Sequence, residues 1–196
     1  MKRIFDLLFS IIVLLLFFPI GFLIASCIIF DSKGGVFYKQ ERVGKDGTLF
    51  YLFKFRSMYD NSAVKGTLTV GDDSRITRVG LLIRKLKLDE FPQFLNVVLG
   101  DMSIVGPRPE VPEFVALYSE EQRRVLSVRP GITDEASLAY FEESKLLATS
   151  TDPKKTYIEE IMPRKIEINL KYISEKSWYS DGIVILKTIL RVLGIR

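Results

Sequence analysis

The stretch LLFSIIVLLLFFPIGFLIASCIIF, Leu7 to Phe30, decides the architecture of this chain. It runs 24 residues without a charge, enough helix to cross a bilayer core of ~30 Å. Lys2 and Arg3 precede it, as they would in a signal peptide. The apolar run is too long for one, and the small-residue cleavage pattern is poor. Pro19 and Gly21 interrupt its middle. Proline removes a helical hydrogen bond and favours a kink, leaving halves of about 12 residues, or roughly 18 Å each, neither of which spans alone. Two topologies follow: a spanning helix, or a re-entrant one that bends at Pro19 and leaves on the side it entered. Lys2 and Arg3 lie before the segment, and Lys33, Lys39, Arg42 and Lys45 after it. Positive charge on both flanks lacks the one-sided bias of a spanning helix and favours the re-entrant form, with both ends cytoplasmic.

Composition narrows the chemistry. Over 196 residues, 47% hydrophobic, the chain is no membrane bundle and suffices for one folded domain. It has no histidine and a single cysteine, Cys27, inside the apolar run. Ser-His and Cys-His nucleophiles, a Cys-based zinc site and an internal disulfide are therefore excluded. Carboxylates, Lys, Arg, hydroxyls and a hard cation such as Mg²⁺ remain. The net charge of +4 implies an anionic partner, whether phospholipid, phosphate-bearing substrate or nucleic acid.

Beyond the apolar run, Val36 to Gln40 and Leu49 to Phe55 flank Gly44-Lys-Asp-Gly47 and predict a β-hairpin. Asn61 to Asp73 reads as a loop. Arg78 to Leu88 predicts a basic amphipathic helix with Val79, Leu82, Ile83 and Leu86 apolar. Leu88-Asp-Glu-Phe-Pro92 reads as the start of a helix that ends at Gly100-Asp101. Gly106-Pro-Arg-Pro109 is a rigid loop, Arg129-Pro-Gly131 a turn, and Val111 to Val125, Glu159 to Ile173 and Ile183 to Val192 are helices. The fold class is α+β, mostly helical: a membrane-inserted re-entrant helix over 1–31, then a membrane-surface domain over 32–196 carrying a small β-hairpin and interfacial amphipathic helices.

Three features can carry chemistry. Asp89 and Glu90 lie at a predicted helix N-terminus, where free N–H groups keep a carboxylate ionised and able to hold Mg²⁺ beside phosphate. Arg108 sits between two prolines, which preorganise a guanidinium for bidentate phosphate binding. In Phe53-Lys-Phe-Arg-Ser-Met58, alternation puts Lys54 and Arg56 on one face and two Phe on the other. Each alone has a plain structural reading: a helix cap, a solvated arginine on a stiff loop, an amphipathic strand at a membrane surface.

Their order and spacing carry more. Lys39-Gln-x-Arg-x-Gly44, Phe53 to Met58, Asp73-Ser-Arg-Ile-Thr-Arg-Val-Gly80, Arg84 to Asn96, Gly100-Asp-Met-Ser-Ile-Val-Gly-Pro-Arg-Pro109 and Arg129-Pro-Gly-Ile-Thr133 together resemble the bacterial sugar transferase family, the monotopic phosphoglycosyl transferases. The resemblance covers about Lys2 to Thr133 and weakens in the last third. It implies transfer of a sugar 1-phosphate from a UDP-sugar to polyprenyl (undecaprenyl) phosphate, with release of UMP. Asp89 would be the nucleophile, forming an aspartyl-phosphosugar intermediate, and would touch Mg²⁺, the implied cofactor. Glu90 would support it. Arg108 would hold phosphate, and Arg84, Arg56, Lys54 and Arg129, basic residues of these motifs, would contact phosphate or substrate. The resemblance further implies a re-entrant helix in the phospholipid bilayer, at the cytoplasmic face of a bacterial inner membrane. Two departures stand out. Asp134-Glu-Ala-Ser-Leu138 replaces the family's common Gly-Trp-Ala-Gln-Val, which leaves the sugar open, and Phe18-Pro19 replaces Ser-Pro at the bend. The rival reading is a membrane-anchored, non-catalytic scaffold for anionic lipid, which would have no need of Asp89-Glu90 or the Pro-Arg-Pro loop. No nucleic-acid partner is expected, since the basic excess is small and such a protein has little use for the apolar run.

Overall fold

The computed structural model describes residues 1–59, 68–71 and 73–195. Most of the Asn61–Asp73 loop expected above lies outside them. The apolar stretch forms α1 (Lys2–Asp31), a helix that continues through Pro19. It is the one helix, among the described residues, long and apolar enough to cross a membrane. A narrow stripe of it faces the rest of the chain: Asp6, Ser10, Ile24 and Ile28 are buried. The opposite side presents Leu15, Leu16, Phe18 and Phe22, each at least 70% exposed.

Both ends of α1 are tied to the same body. Arg3 Nη1 donates to Val97 O (2.7 Å) and Nη2 to Val98 O (3.2 Å). Asp6 accepts from Ser103 Oγ (2.7 Å), and Lys2 pairs with Asp181. At the other end Asp31 Oδ2 accepts from the Val79 amide (3.0 Å). Phe9, Phe94, Phe91 and Phe17 form an aromatic ladder between these ends, with centroids 5.0–6.3 Å apart.

β1 (Phe37–Val43) and β2 (Leu49–Phe55) form the antiparallel hairpin, in register from Phe37↔Phe55 to Val43↔Leu49. Its turn needs left-handed backbone at Asp46 and Gly47, types that tolerate it. The first strand runs three residues past the expected Gln40. α2 (Arg78–Lys85) follows, capped by Thr77 Oγ1 accepting from the Gly80 amide (2.9 Å). It buries Gly80 and Ile83 and leaves Leu81, Leu82 and Leu86 exposed. α3 (Gln93–Leu99) ends at Gly100, whose positive φ closes a left-handed cap.

β3 (Ser103–Val105) pairs in parallel with β4 (Gly131–Thr133), a pairing the sequence reading missed by treating Arg129 to Gly131 as a turn only. The expected single helix over Val111 to Val125 is instead α4 (Pro112–Val115), α5 (Glu120–Arg123) and a 3-10 turn over Arg124–Ser127. The break has a local cause: Ser119 and Gln122 form a reciprocal capping box that begins a new helix. α6 (Glu135–Ala139), α7 (Glu143–Ala148) and α8 (Pro153–Thr156) lead through a π-turn over Tyr157–Ile161 into α9 (Met162–Glu175). The widened turn precedes Pro163, which has no N–H for the carbonyl four residues back. α10 (Trp178–Val192) closes the chain behind a Ser177/Ser180 capping box. The protein is thus α+β and mostly helical, with its small hairpin, as its patterning predicts.

Candidate active site

Asp89 and Glu90 lie in a 3-10 turn, Leu88–Glu90, entered through a left-handed Lys87 (φ 56°). Phe91 and Pro92 keep helical backbone, so this turn runs on into α3 (Gln93–Leu99) and the two carboxylates stand in the first turn of a helical segment, as the sequence expectation has it, though that turn is 3-10. The left-handed backbone of Lys87 ends the run of α2 and separates it from this segment. Asp89 is buried, and burial, then the neighbouring Glu90 charge, raises its carboxyl above the ordinary range, while Lys54, Arg84 and Lys87 pull it back. Its Oδ1 is buried with no hydrogen-bond partner.

Glu90 behaves oppositely. Its Oε2 accepts from Arg108 Nη1 (3.1 Å), and its Oε1 accepts from Lys54 Nζ (2.8 Å) and from Arg108 Nη2. Burial would raise its carboxyl, but the Arg108 and Lys54 charges overcome burial and hold it well below the usual range. Glu90 is thus a fixed anion gripped by two cations. Removing either cation leaves Glu90 paired with the other, so the loss falls below the about 3–5 kcal/mol of a buried charge stripped of its only partner. Arg108 has five donors and Glu90 takes two, so its fork keeps capacity for a further anion.

The supports of this triad come from several elements. Lys54 rides on β2, which Asn96 of α3 clamps by accepting from the Phe53 amide (3.0 Å) and donating to Tyr51 O (2.8 Å). The Pro-Arg-Pro loop leaves β3 and is pinned on both sides. On one, the buried Asp134 accepts from the Arg108 amide (2.6 Å), from the Ser137 amide and from Asn169 Nδ2 (3.3 Å). On the other, Arg42 Nη1 donates to Pro109 O (2.9 Å) and pairs with Glu110, which also accepts from Tyr157 Oη. Close backbone approach joins β3 to β4: a Cβ on Gly131 would sit 2.1 Å from the Gly106 nitrogen.

The carboxylates and cations of the site line a cavity of 1310 Å³ that also takes in Phe9, Val13 and Phe17 of α1. Asp89, Glu90, Arg108, Arg84, Lys54 and Arg56 all stand on its wall. Arg84 additionally donates to Thr69 Oγ1 (3.2 Å). The Arg56 guanidinium is engaged by the C-terminal end of α1, donating to Ser32 O (2.7 Å) and Lys33 O. Arg129 is not among the wall residues and donates to Gly100 O (2.9 Å). Residues that the sequence reading did not place in the site are Asp134, Ser137, Asn169, Arg42 and Lys87. Asp134-x-x-Ser137 carried a helix-cap signal. Asn169 carried a weaker one, a short polar residue among the apolar positions Ile166, Leu170 and Ile173.

Among the described residues no three Asp, Glu, His or Cys side chains converge to hold a metal. A single carboxylate with an unpartnered buried oxygen suits Mg²⁺ only where the ion arrives on a ligand's own phosphates, the usual mode for this cation.

A family model described as bacterial sugar transferase matches residues 1–194. The chain is 39% identical, over 98% of its length, to the UDP-N-acetylgalactosamine-undecaprenyl-phosphate N-acetylgalactosaminephosphotransferase of Aeromonas hydrophila, of which it covers 43%. It is 34% identical, over 97% of its length, to the UDP-glucose:undecaprenyl-phosphate glucose-1-phosphate transferase of Escherichia coli K12, of which it covers 40%. It is 36% identical to the uncharacterized sugar transferase EpsL of Bacillus subtilis, with 98% of this chain and 87% of that one aligned. The chain therefore spans less than half of the two phosphotransferases and most of EpsL.

Proposed function

The chain belongs to the bacterial sugar transferase family, and from that membership we propose that it transfers a sugar 1-phosphate from a UDP-sugar to undecaprenyl phosphate. The observation that carries the reading is the contrast between adjacent carboxylates. Asp89 is buried, raised and partly unpartnered, whereas Glu90 is fixed by Arg108 and Lys54. A poorly solvated carboxylate beside paired cations is a nucleophile set against a phosphate site.

In the first step an Asp89 oxygen attacks the phosphorus that bears the sugar. The bond to the bridging oxygen breaks and UMP leaves with that oxygen. In the second step an oxygen of the polyprenyl phosphate attacks the same phosphorus, the acyl phosphate bond breaks, and the Asp89 carboxylate is restored. Arg108 holds the transferring phosphate, and Glu90 holds Arg108 and Lys54 in place for it. Mg²⁺, carried by the diphosphate and touched by Asp89, would neutralise charge on the leaving phosphate.

The cavity exceeds the ~300–1,000 Å³ of a usual small-ligand pocket. Its apolar wall of Phe9, Val13 and Phe17 suits a prenyl chain delivered along α1. The same helix supports a re-entrant placement in the inner membrane with the domain on the cytoplasmic face. Arg3 and Asp31, near its opposite ends, both bond one body, which a spanning helix would hold on two sides of the bilayer.

The test is a half-reaction. Enzyme with UDP-sugar and Mg²⁺ but no lipid should release up to about one equivalent of UMP and gain the mass of one phosphosugar on the peptide containing Asp89. Asp89→Asn should release none. UMP that appears only when lipid acceptor is added, with no adduct trapped, would overturn the covalent mechanism in favour of direct transfer.

A further inference from the structure

α6 and α9 supply part of the cavity wall. Two polar atoms there are buried and have no partner: Asn169 Oδ1 on α9 and Ser137 Oγ on α6. Both residues line the cavity that holds Asp89 and Arg108. Asn169 is 5% exposed. A buried polar group left unpaired costs about 1–3 kcal/mol, so two on one wall mark a place where a ligand completes the bonding.

Asp134 fixes what that ligand must be. Its Oδ2 accepts from both Asn169 Nδ2 (3.3 Å) and the Arg108 amide (2.6 Å), and its Oδ1 from the Ser137 amide. Turning the Asn169 amide over would set its oxygen against a carboxylate, so the NH₂ stays on Asp134 and the oxygen stays unpartnered. Asn169 Oδ1 only accepts, and Ser137 Oγ both donates and accepts. A phosphate oxygen offers no proton and would meet the Asn169 oxygen with the Asp134 carboxylate behind it. A hydroxyl or an amide N–H satisfies the pair. The Arg108 amide, Asn169 and Ser137 all converge on Asp134, so this subsite is built onto the same support as the phosphate clamp.

We propose that Asn169 and Ser137 form a subsite that reads a hydroxyl or amide N–H of the UDP-sugar, and so help set which donor is used. The proposal rests on the reaction assigned above. It gives a physical role to Asp134 to Leu138, where the chain departs from the common family sequence.

The experiment starts with UMP release by the full chain in lipid nanodiscs from UDP-glucose, UDP-galactose, UDP-GlcNAc and UDP-GalNAc. The preferred donor is then compared with its forms lacking single pyranose hydroxyls or the acetamido group, and with its 2′-deoxyuridine form. For one such form, wild type should lose tenfold or more in kcat/KM. Ser137→Ala and Asn169→Leu should lose a similar factor on the intact donor, mainly through KM, and lose little further on the form lacking that group. A pyranose form showing this coupling identifies the sugar as what is read, and the 2′-deoxyuridine form identifies the ribose. Ser137→Ala keeps the backbone bond to Asp134, so it tests the idea even where Asn169→Leu fails to fold. Equal losses on every donor, with no coupling to any group, would mean a structural role only and overturn the subsite. A wild type that releases UMP from no donor would overturn the reaction itself, a result distinguishable from failure of the subsite alone.

Discussion

Asp134 shows how much one buried carboxylate can organise. It is 1% exposed and satisfies three donors, the amides of Arg108 and Ser137 and the Asn169 side chain. Asp134→Ala strands all three and removes the α6 cap, so destabilisation of about 3 kcal/mol or more is expected. For a domain of this size that is a fall in thermal midpoint of roughly 6–12 °C. Asp134→Asn, which loses one accepting oxygen, should fall between. Calorimetry or intrinsic fluorescence in detergent measures both, and an Asp134→Ala midpoint within 2 °C of wild type would show that the bonds contribute little. The residue was visible in the sequence as a departure from a pattern and as a helix cap for Ser137, not as a support of Arg108 and Asn169. Its partners lie 26 and 35 positions away in either direction, and no local rule connects such distances. Asp89 and Arg108 were legible for the opposite reason: dense local motifs surround each.

At the scale of elements, periodicity and punctuation located α1, the hairpin, α2 and α10, because each carries its signal within its own residues. The β3–β4 pair did not, since three-residue strands have no period to read and parallel pairing joins distant segments. What marks it is a glycine at each side. A Cβ on Gly131 would overlap the Gly106 nitrogen and oxygen, at 2.1 and 2.4 Å. Gly131→Ala should therefore separate β4 from the start of the Pro-Arg-Pro loop and displace Arg108 from Glu90. The expected result is a drop of tenfold or more in UMP release, while Gly182→Ala, which meets nothing within 4 Å, stays near wild type. Equal activity of the two variants would show that the strand pair tolerates the added methyl.

For the whole molecule, the arrangement to test is its sidedness. Cys27 is the sole cysteine and is exposed, so a Cys27→Ser background gives a clean start. Single cysteines at Lys2 and at Lys33, the two ends of α1, should react with an impermeant maleimide from the same face of inverted inner-membrane vesicles. Labelling from opposite faces would establish a spanning helix and refute the re-entrant one. The flanking charges raised this question in the sequence and leaned toward the re-entrant form; the contacts at Arg3 and Asp31 add a second, independent argument.

Those contacts also carry a consequence in time. Arg3, Asp6 and Lys2 take partners 94, 97 and 179 residues further along the chain. At a synthesis rate of roughly 5–20 residues per second, the last of these partners is made about 9–36 s after Lys2 itself. Through that interval α1 exists with its apolar side complete and its polar stripe unanswered. An acidic side chain such as Asp6 is costly in hydrocarbon, so the nascent helix has reason to keep its first turns at the water's edge, where Val97, Ser103 and Asp181 will later arrive. The order in which the ribosome delivers the chain thus favours the placement proposed above.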